Sequence, residues 1–168
     1  MRTESETPEL NAWTIYLRAS EEAKCRGDRR VGTDHLVLAL LEEPLAVELL
    51  GVSLHQAREA LHALDRQALA VVGLDLGADP PAPTRVVPKK PRLRDVAQKD
   101  RLRMTPEAKK VLERASKSNR RGLYVTADQV LAQILTLNSP DPAPVLLDAL
   151  GVNRSEVRRR LELLTSDG

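Results

Sequence analysis

The sequence predicts an all-α fold in which eight helices form a pseudo-twofold duplication of a four-helix repeat. The first observation is the composition, because 168 residues with one Trp, two Tyr and no Phe must build their core from aliphatic side chains, which suits packed helices better than sheets. The second is an internal repeat, since Leu50-Gly51-Val52 returns one hundred positions later as Leu150-Gly151-Val152. The third is that both copies carry helix-start signals.

Each repeat is predicted to begin with a long helix. Thr7-Pro8-Glu9 and Thr105-Pro106-Glu107 both place a threonine cap before a proline at the first helical position and an acid in the first turn. A second match, Arg18-Ala19-Ser20 with Arg114-Ala115-Ser116, aligns the two copies two residues differently from the first match. The register of the first helix in the first copy therefore stays open.

A short buried helix is expected next in each copy. Thr33 and Thr126 precede apolar runs that predict helices, although runs of this length are also compatible with strands. The last helix of each copy follows a capping-box pair, Ser53 with Gln56 or Asn153 with Glu156. The preceding glycine, Gly51 or Gly151, suits the left-handed end of a very short third helix. Leu61 with Leu161 and Leu64 with Leu164 continue the match as one apolar stripe.

Prolines mark a connector between the two copies. The predicted helices are 8–26, 33–41, 45–50 and 54–70, then 106–121, 127–137, 143–150 and 154–164. Between them lie Pro80, Pro81, Pro83, Pro88 and Pro91, in a stretch longer than most connections inside a domain. We expect a first repeat over 1–72, a Pro-rich basic linker over 73–103 and a second repeat over 104–168. Both repeats should pack as one domain, because each alone is near the lower size limit for a core.

Two segments resemble a known family. The run from Val31 to Leu40, VGTDHLVLAL, is similar to the GTEHLLLGL segment of the Clp unfoldase amino-terminal domain. The run from Met104 to Ala115, MTPEAKKVLERA, resembles the opening of the second repeat in the ClpC type. The duplicated Leu-Gly-Val before an amphipathic helix also fits. The resemblance covers the chain except for its first few residues and the linker.

The resemblance implies a non-catalytic module that binds protein substrates or adaptors and works with Clp unfoldase and protease subunits. It also implies small ligands, namely phosphorylated arginine in some ClpC-type members and natural products. The sequence contains no Gly-x-x-x-x-Gly-Lys-[Ser/Thr] phosphate loop, so a module without the ATPase motor is expected. Such a module could act as a decoy or an accessory of the Clp protease system, and we expect neither an enzyme nor a cofactor.

The resemblance also implies candidate site residues. In the family, a glutamate pairs with the guanidinium of phosphoarginine, while a threonine and N–H groups at the start of the first helix hold its phosphate. The matching positions give the candidate ligand-binding residues Thr7, Thr33, Asp34, Thr105 and Asp128. Both aspartates are one methylene shorter than the family's glutamate. A structural interpretation, in which these residues are helix caps and early-helix acids, stays open.

A DNA-binding accessory protein is the alternative class. The basic linker and the arginines of the last helix, Arg154, Arg158, Arg159 and Arg160, could contact phosphates. The net charge of +2 does not by itself indicate nucleic acid, and the linker lacks interleaved aromatic residues and is interrupted by prolines. Nucleic acid is therefore not the expected partner.

Other classes are excluded on composition. The single cysteine, Cys25, cannot form an internal disulfide, which fits a reducing cytoplasm. No stretch approaches about 18 consecutive apolar residues, so no membrane association is expected. His55 and His62 lie two helical turns apart without a third ligand, so no metal site is expected.

Overall fold

The computed structural model describes residues 11–73, 101–118 and 125–166. It confirms the all-α class, with eight helices and two very short strands in the described ranges. In chain order the elements are α1 (Ala12–Arg26), β1 (Arg30–Val31), α2 (Thr33–Leu40), α3 (Pro44–Leu50), α4 (Leu54–Val71), β2 (Arg103–Met104), α5 (Pro106–Ser118), α6 (Ala127–Ile134), α7 (Pro142–Ala149) and α8 (Arg154–Ser166). The predicted linker falls mostly at 74–100, outside the described residues.

Helix α1 begins later than the sequence predicts. The expected start at Pro8 is wrong, because the described chain is still extended at Asn11 and becomes helical at Ala12. The Asn11 side chain accepts a hydrogen bond from the Trp13 N–H at 2.9 Å, which satisfies one of the free donors at the helix start. Thr7 itself lies outside the described residues.

The capping box predicted for the last helix is confirmed in the first copy, whereas the second copy forms one of its two hydrogen bonds. Ser53 Oγ accepts from the Gln56 N–H at 3.2 Å, and Gln56 Oε1 accepts from the Ser53 N–H at 2.8 Å. In the second copy Asn153 accepts from the Glu156 N–H at 3.1 Å. The Glu156 side chain does not complete the box, because it pairs with two arginines of its own helix.

A two-stranded parallel ribbon was not predicted. Strands β1 and β2 pair with Arg30 opposite Arg103 and Val31 opposite Met104, and the Thr105 N–H donates to the Val31 carbonyl at 2.9 Å. Two residues per strand are too few for a periodicity signal. The ribbon joins the start of α5 in the second repeat to the segment before α2 in the first.

One apolar core runs through both repeats. Helix α2 is buried along its whole length and contacts α7 and α6 of the other repeat, while α3 contacts α6 and α8, and α4 contacts α7. The predicted leucine stripe is correct at Leu61 and Leu161, which are buried. It is wrong at Leu164, which is 52% exposed, because α8 extends beyond the elements that it packs against.

Candidate functional site

An open groove lies between the first helices of the two repeats. It has a volume of about 880 Å³ and is lined by α1, by α5 and by the segment around β2. Its apolar lining is formed by Ala12, Trp13, Tyr16, Leu102, Met104 and Leu112. The volume falls within the range of sites that hold small molecules or a few peptide side chains. The groove is the candidate functional site.

Two aromatic side chains build the α1 wall of this groove. Trp13 and Tyr16 are one helical turn apart, and their rings stack at a centroid distance of 5.0 Å and an interplanar angle of 30°. The Tyr16 hydroxyl donates to the Leu102 carbonyl at 2.7 Å, which fixes the ring against the segment before β2. The wall is therefore held in place before any ligand arrives.

Cations surround the aromatic wall. The Arg101 guanidinium carbon lies 4.6 Å from the centroid of the Trp13 ring, within the range of a cation–π interaction. On the α5 side, Lys109 lies 3.6 Å from Glu113 in an exposed ion pair, and Lys117 lines the end of the groove. The groove thus combines apolar surface with a mainly basic rim.

Thr33 faces the second repeat, not the groove. It is 1% exposed, and its hydroxyl oxygen accepts from the Ala143 N–H at 3.1 Å while its hydroxyl donates to Asp141. Asp141 is the N-cap of α7. Thr33 therefore completes the cap of a helix in the other repeat, and its hydroxyl is engaged within the fold.

Asp34 is buried and already paired with a guanidinium. Its carboxylate lies 3.3 Å from Arg26 Nη1 and 3.2 Å from His35 Nδ1. Burial favours the neutral acid, but the hydrogen bond and charge of His35 and the charge of Arg26 outweigh it, so the pKa of Asp34 is lowered. Arg26 occupies the place beside the carboxylate that a ligand guanidinium would need.

His35 and Gly32 complete this cluster. His35 Nε2 lies 2.9 Å from Asp28 Oδ2. In the neutral ring Nδ1 accepts from the Gly32 N–H at 2.9 Å, and in the protonated ring Nδ1 instead donates to the Asp34 carboxylate at 3.2 Å. A Cβ atom at Gly32 would collide with the Asp34 carboxylate, which explains the glycine before Thr33. His35 is thus a buried, hydrogen-bonded residue that caps α2.

The candidate residues of the second repeat are placed differently. Thr105 Oγ1 accepts from the Ala108 N–H at 3.2 Å, so it is the cap of α5. Asp128 is in the first turn of α6 and half-buried, and no ion pair joins it to another of the described residues. The structure therefore buries and pairs the aspartate of the first repeat and leaves the equivalent one more open.

The arginines of α8 are engaged within the protein. Arg154 and Arg158 donate to the carbonyls of Leu137 and Leu135 at 3.0 and 2.7 Å, which are free acceptors at the end of α6. Arg159 and Arg160 both pair with Glu156, at 2.8 and 3.0 Å. These contacts stabilise α6 and α8. The face keeps a positive charge, because a carbonyl does not neutralise Arg158 and Glu156 is shared by two arginines, whereas Arg154 also pairs with Asp148 at 3.5 Å.

Cys25, the possible metal ligands and the helix lengths were considered next. Partial burial, Glu22 and Glu21 raise the pKa of the Cys25 thiol, the opposite of what activates a nucleophile. In the described ranges no three His, Cys, Asp or Glu side chains are grouped closely enough to hold a metal ion. None of the described helices combines the length and the apolar character needed to span a bilayer.

Among the described residues, the candidates predicted from the sequence do not line this groove. Trp13 and Tyr16 were not among the candidates, although the only tryptophan and one of two tyrosines stand three positions apart. That spacing on one helix face is the signal that could have found them. Leu102 and Met104 could not have been found, because the unpredicted ribbon positions them.

The fold and the groove define an all-helical, two-repeat interaction domain. The family model of the Clp repeat (R) N-terminal domain matches residues 9–139, and the chain belongs to this family. In Clp chaperones such domains are non-catalytic modules that bind other proteins.

Solved structures agree on the fold. The N-terminal domain of the caseinolytic protease associated chaperone ClpD from Arabidopsis thaliana is similar, with a TM-score of 0.59 and 19% sequence identity. The similarity covers 92% of this chain and 94% of the ClpD chain. Comparison with curated protein sequences gives no match.

Proposed function

We propose that this chain binds segments of protein substrates or adaptors in the groove between α1 and α5. The observation that supports this most directly is the apolar groove with a preformed aromatic wall, Trp13 on Tyr16. Trp13 is partly exposed and rests on the buried Tyr16 ring. A rigidly held aromatic side chain of this kind is typical of surfaces that bind peptides, because little conformational entropy is lost on binding. Natural products of similar size would fit the same volume.

The proposed role is that of a decoy or an accessory of the Clp protease system. A decoy would hold protein segments that the amino-terminal domain of a Clp unfoldase also binds, and so slow their degradation. An accessory would dock on the Clp subunits together with a segment and speed the degradation. Both versions work by equilibrium binding and need no chemistry from this chain.

A degradation assay tests this role. The full chain is titrated into a purified ClpC-type unfoldase and protease that degrades an adaptor-delivered substrate. A decoy lowers the rate and an accessory raises it, in both cases saturably, whereas an unchanged rate contradicts both. Trp13→Ala should abolish the effect, while Val71→Ala, which shortens an 86% exposed side chain outside the groove, should leave it intact.

Phosphoarginine, the ligand that the resemblance implies, fits the second repeat better than the first. In the first repeat the Asp34 carboxylate already pairs with Arg26, and the Thr33 hydroxyl already accepts a hydrogen bond from the start of α7. In the second, Asp128 is half-buried, and the Thr105 hydroxyl, which accepts from the Ala108 N–H, can still donate its proton to an anion. The Glu107 N–H is the first-turn donor left beside it, because Pro106 has no N–H and the Lys109 N–H bonds to the Thr105 carbonyl. We therefore place this proposed activity at Thr105 and Asp128.

DNA binding has less support. The four arginines of α8 donate to carbonyls or pair with Asp148 and Glu156, so a phosphate would have to compete with these contacts for each guanidinium. The basic linker, the other half of that hypothesis, lies mostly outside the described residues. Protein binding therefore remains the proposal.

A further inference from the structure

Strand β2 has one edge that the ribbon does not use. Along a strand, the backbone N–H and C=O of one residue point to one side and those of the next residue to the other. The Thr105 N–H donates to the Val31 carbonyl at 2.9 Å, so Arg103, two residues earlier, also turns its backbone groups to β1. The backbone groups of Leu102 and Met104 therefore point away from β1, along the free edge of β2.

This free edge faces the groove. The Tyr16 hydroxyl of α1 donates to the Leu102 carbonyl at 2.7 Å, which places the edge opposite α1, and Tyr16, Leu102 and Met104 all line the groove. Among the described residues, neither the N–H nor the C=O of Met104 has a hydrogen-bond partner outside the ribbon, and their direction excludes one inside it. Backbone groups of this kind are strong donors and acceptors that pair with another chain when one is available.

The lining beside this edge suits the side chains of an extended segment. Trp13 on α1 and Leu112 on α5 form the apolar walls of the groove. An extended chain directs alternate side chains to opposite sides, so a segment paired with Met104 packs one set against these walls and leaves the other set in water. A helical segment would not use the Met104 groups, because its own backbone hydrogen bonds are internal.

The charged residues of the groove favour an uncharged or acidic segment over a basic one. Lys109 pairs with Glu113 at 3.6 Å, whereas Lys117, which also lines the groove, forms no ion pair with another described residue. The Arg101 guanidinium adds a second cation 4.6 Å from the centroid of the Trp13 ring. A basic segment would therefore meet like charge at the groove.

We propose that an extended peptide segment binds in the groove as a third strand, with its main chain hydrogen-bonded to Met104 and an apolar side chain packed on Trp13. This rests on the proposed protein-binding function and adds how the segment is held. Main-chain hydrogen bonds supply affinity that does not depend on sequence, while the walls select apolar residues at alternate positions. Segments of many different proteins fit this rule.

Methylation of the peptide backbone tests the pairing on the unaltered protein. The full chain is titrated with acetyl-Ser-Phe-Ser-Leu-Ser-Glu-amide while the fluorescence of Trp13, the only tryptophan, is followed. Six further peptides each carry a methyl group on one backbone nitrogen. A paired strand turns only alternate N–H groups to its neighbour, so methylation should weaken binding at least tenfold at one nitrogen or at two nitrogens two residues apart. The nitrogens next to these should change the affinity less than twofold, and a loss at two adjacent nitrogens, or at none, would overturn the proposal.

Amide hydrogen exchange of the protein gives an independent measurement. The Met104 N–H has no partner in the described part of the free chain, so a saturating amount of the unmethylated peptide should slow its exchange at least tenfold. The Thr105 N–H, which is already bonded to Val31, is the control and should change less than twofold. Exchange at Met104 that is unchanged in the complex would contradict the proposed pairing.

The charge preference and the underlying function are tested separately. The peptide with lysine in place of glutamate should bind several-fold more weakly at low salt, and equal or tighter binding would contradict the preference. If the peptide does not bind, or binds without the alternating effect of methylation, while the degradation assay still depends on Trp13, strand pairing is wrong and the protein-binding function stands. If Trp13→Ala also has no effect in that assay, both proposals are wrong.

Discussion

The Thr33 hydroxyl of the first repeat accepts a hydrogen bond from the Ala143 N–H of the second repeat at 3.1 Å. The same hydroxyl donates to Asp141, the side-chain cap of α7, whose own oxygen lies 3.3 Å from the Ala143 nitrogen. The equivalent position in the second repeat, after the Thr126 cap, is Ala127, which has no hydroxyl. The first repeat therefore caps a helix of the second through Thr33, whereas Ala127 cannot make the reciprocal hydrogen bond.

We expect Thr33→Val to lower the free energy of unfolding by about 1–2 kcal/mol, because it removes a buried acceptor from the Ala143 N–H and a donor from Asp141. Urea denaturation of the full chain measures this. Thr136→Val is the control, since its hydroxyl bonds only to the nearby Gln133 carbonyl and is exposed, and should cost less than about 0.5 kcal/mol. Equal losses would show that the bond between repeats adds nothing.

Gly32 and Asp34 should be energetically coupled. Gly32→Ala places a methyl group against the Asp34 carboxylate, which is held by Arg26 and His35 and so has little freedom to move. We expect a loss of about 1–2 kcal/mol in the free energy of unfolding. The backbone of Gly32 is extended, with φ of −93°, so alanine itself is not strained there.

A double-mutant cycle identifies the cause. In an Asp34→Ala background the obstructing carboxylate is gone, and Gly32→Ala should then cost less than about 0.5 kcal/mol. A cost that is the same in both backgrounds would mean that the glycine is required for another reason.

The pH dependence of stability follows from the lowered pKa of Asp34. A carboxyl whose pKa is lower in the folded state stabilises the fold above its ordinary value, 3.8 here, and loses that contribution as the pH falls through the folded pKa. The free energy by which the wild type exceeds Asp34→Asn should therefore be largest near neutral pH and shrink below about pH 4. A difference that stays constant down to acid unfolding would contradict this.

His35 should show the opposite dependence. Burial lowers its pKa, but the hydrogen bond and charge of Asp34 and the contact with Asp28 prevail, so the pKa of His35 is raised. Its contribution is fully present below the ordinary value of 6.5 and declines as the pH rises through the folded pKa. His35→Gln is the matched variant, because Gln129 caps α6 from the same position in the second repeat at 3.2 Å. The stability difference between wild type and this variant should decrease above about pH 7, and a difference that increases there would be evidence against it.

The parts of the fold that could be predicted from the sequence are those set by residues within one or two helix turns of each other. Caps such as Ser53 and glycines such as Gly51, which is left-handed with φ of +68°, act within one helix turn, and the repeat doubled the evidence for each. The hydroxyl of Thr33, the pairing of Arg30 with Arg103 and the exposure of Leu164 depend on contacts between elements distant in the chain. No local pattern contains that information, so the groove and the ribbon beside it could be found only in the structure.

Arginine contacts on α8 give a further test. Arg158→Ala should lower the free energy of unfolding by about 1–2 kcal/mol, because the Leu135 carbonyl at the end of α6 loses its charged donor. Arg159→Ala, which removes only an exposed pair with Glu156, should change it by less than about 0.5 kcal/mol. Thermal and urea unfolding of both variants measure the difference. A gel shift with duplex DNA at low salt that is lost in Arg159→Ala would instead support the nucleic-acid alternative.

Phosphoarginine distinguishes the two repeats. Because Asp34 is buried with Arg26 beside it, while Asp128 has no ion-pair partner in the described part of the chain, calorimetry with free phosphoarginine should detect one site that weakens at least tenfold in Asp128→Ala. Asp34→Ala should leave that affinity unchanged, as its carboxylate serves the fold. Thr105→Ala should weaken binding less than Asp128→Ala, since loss of the Thr105 hydroxyl frees the Ala108 N–H, which joins the Glu107 N–H as a donor to the phosphate. An affinity that depends on Asp34 and not on Asp128 would reverse the assignment, and no binding to the wild type would remove phosphoarginine as a ligand.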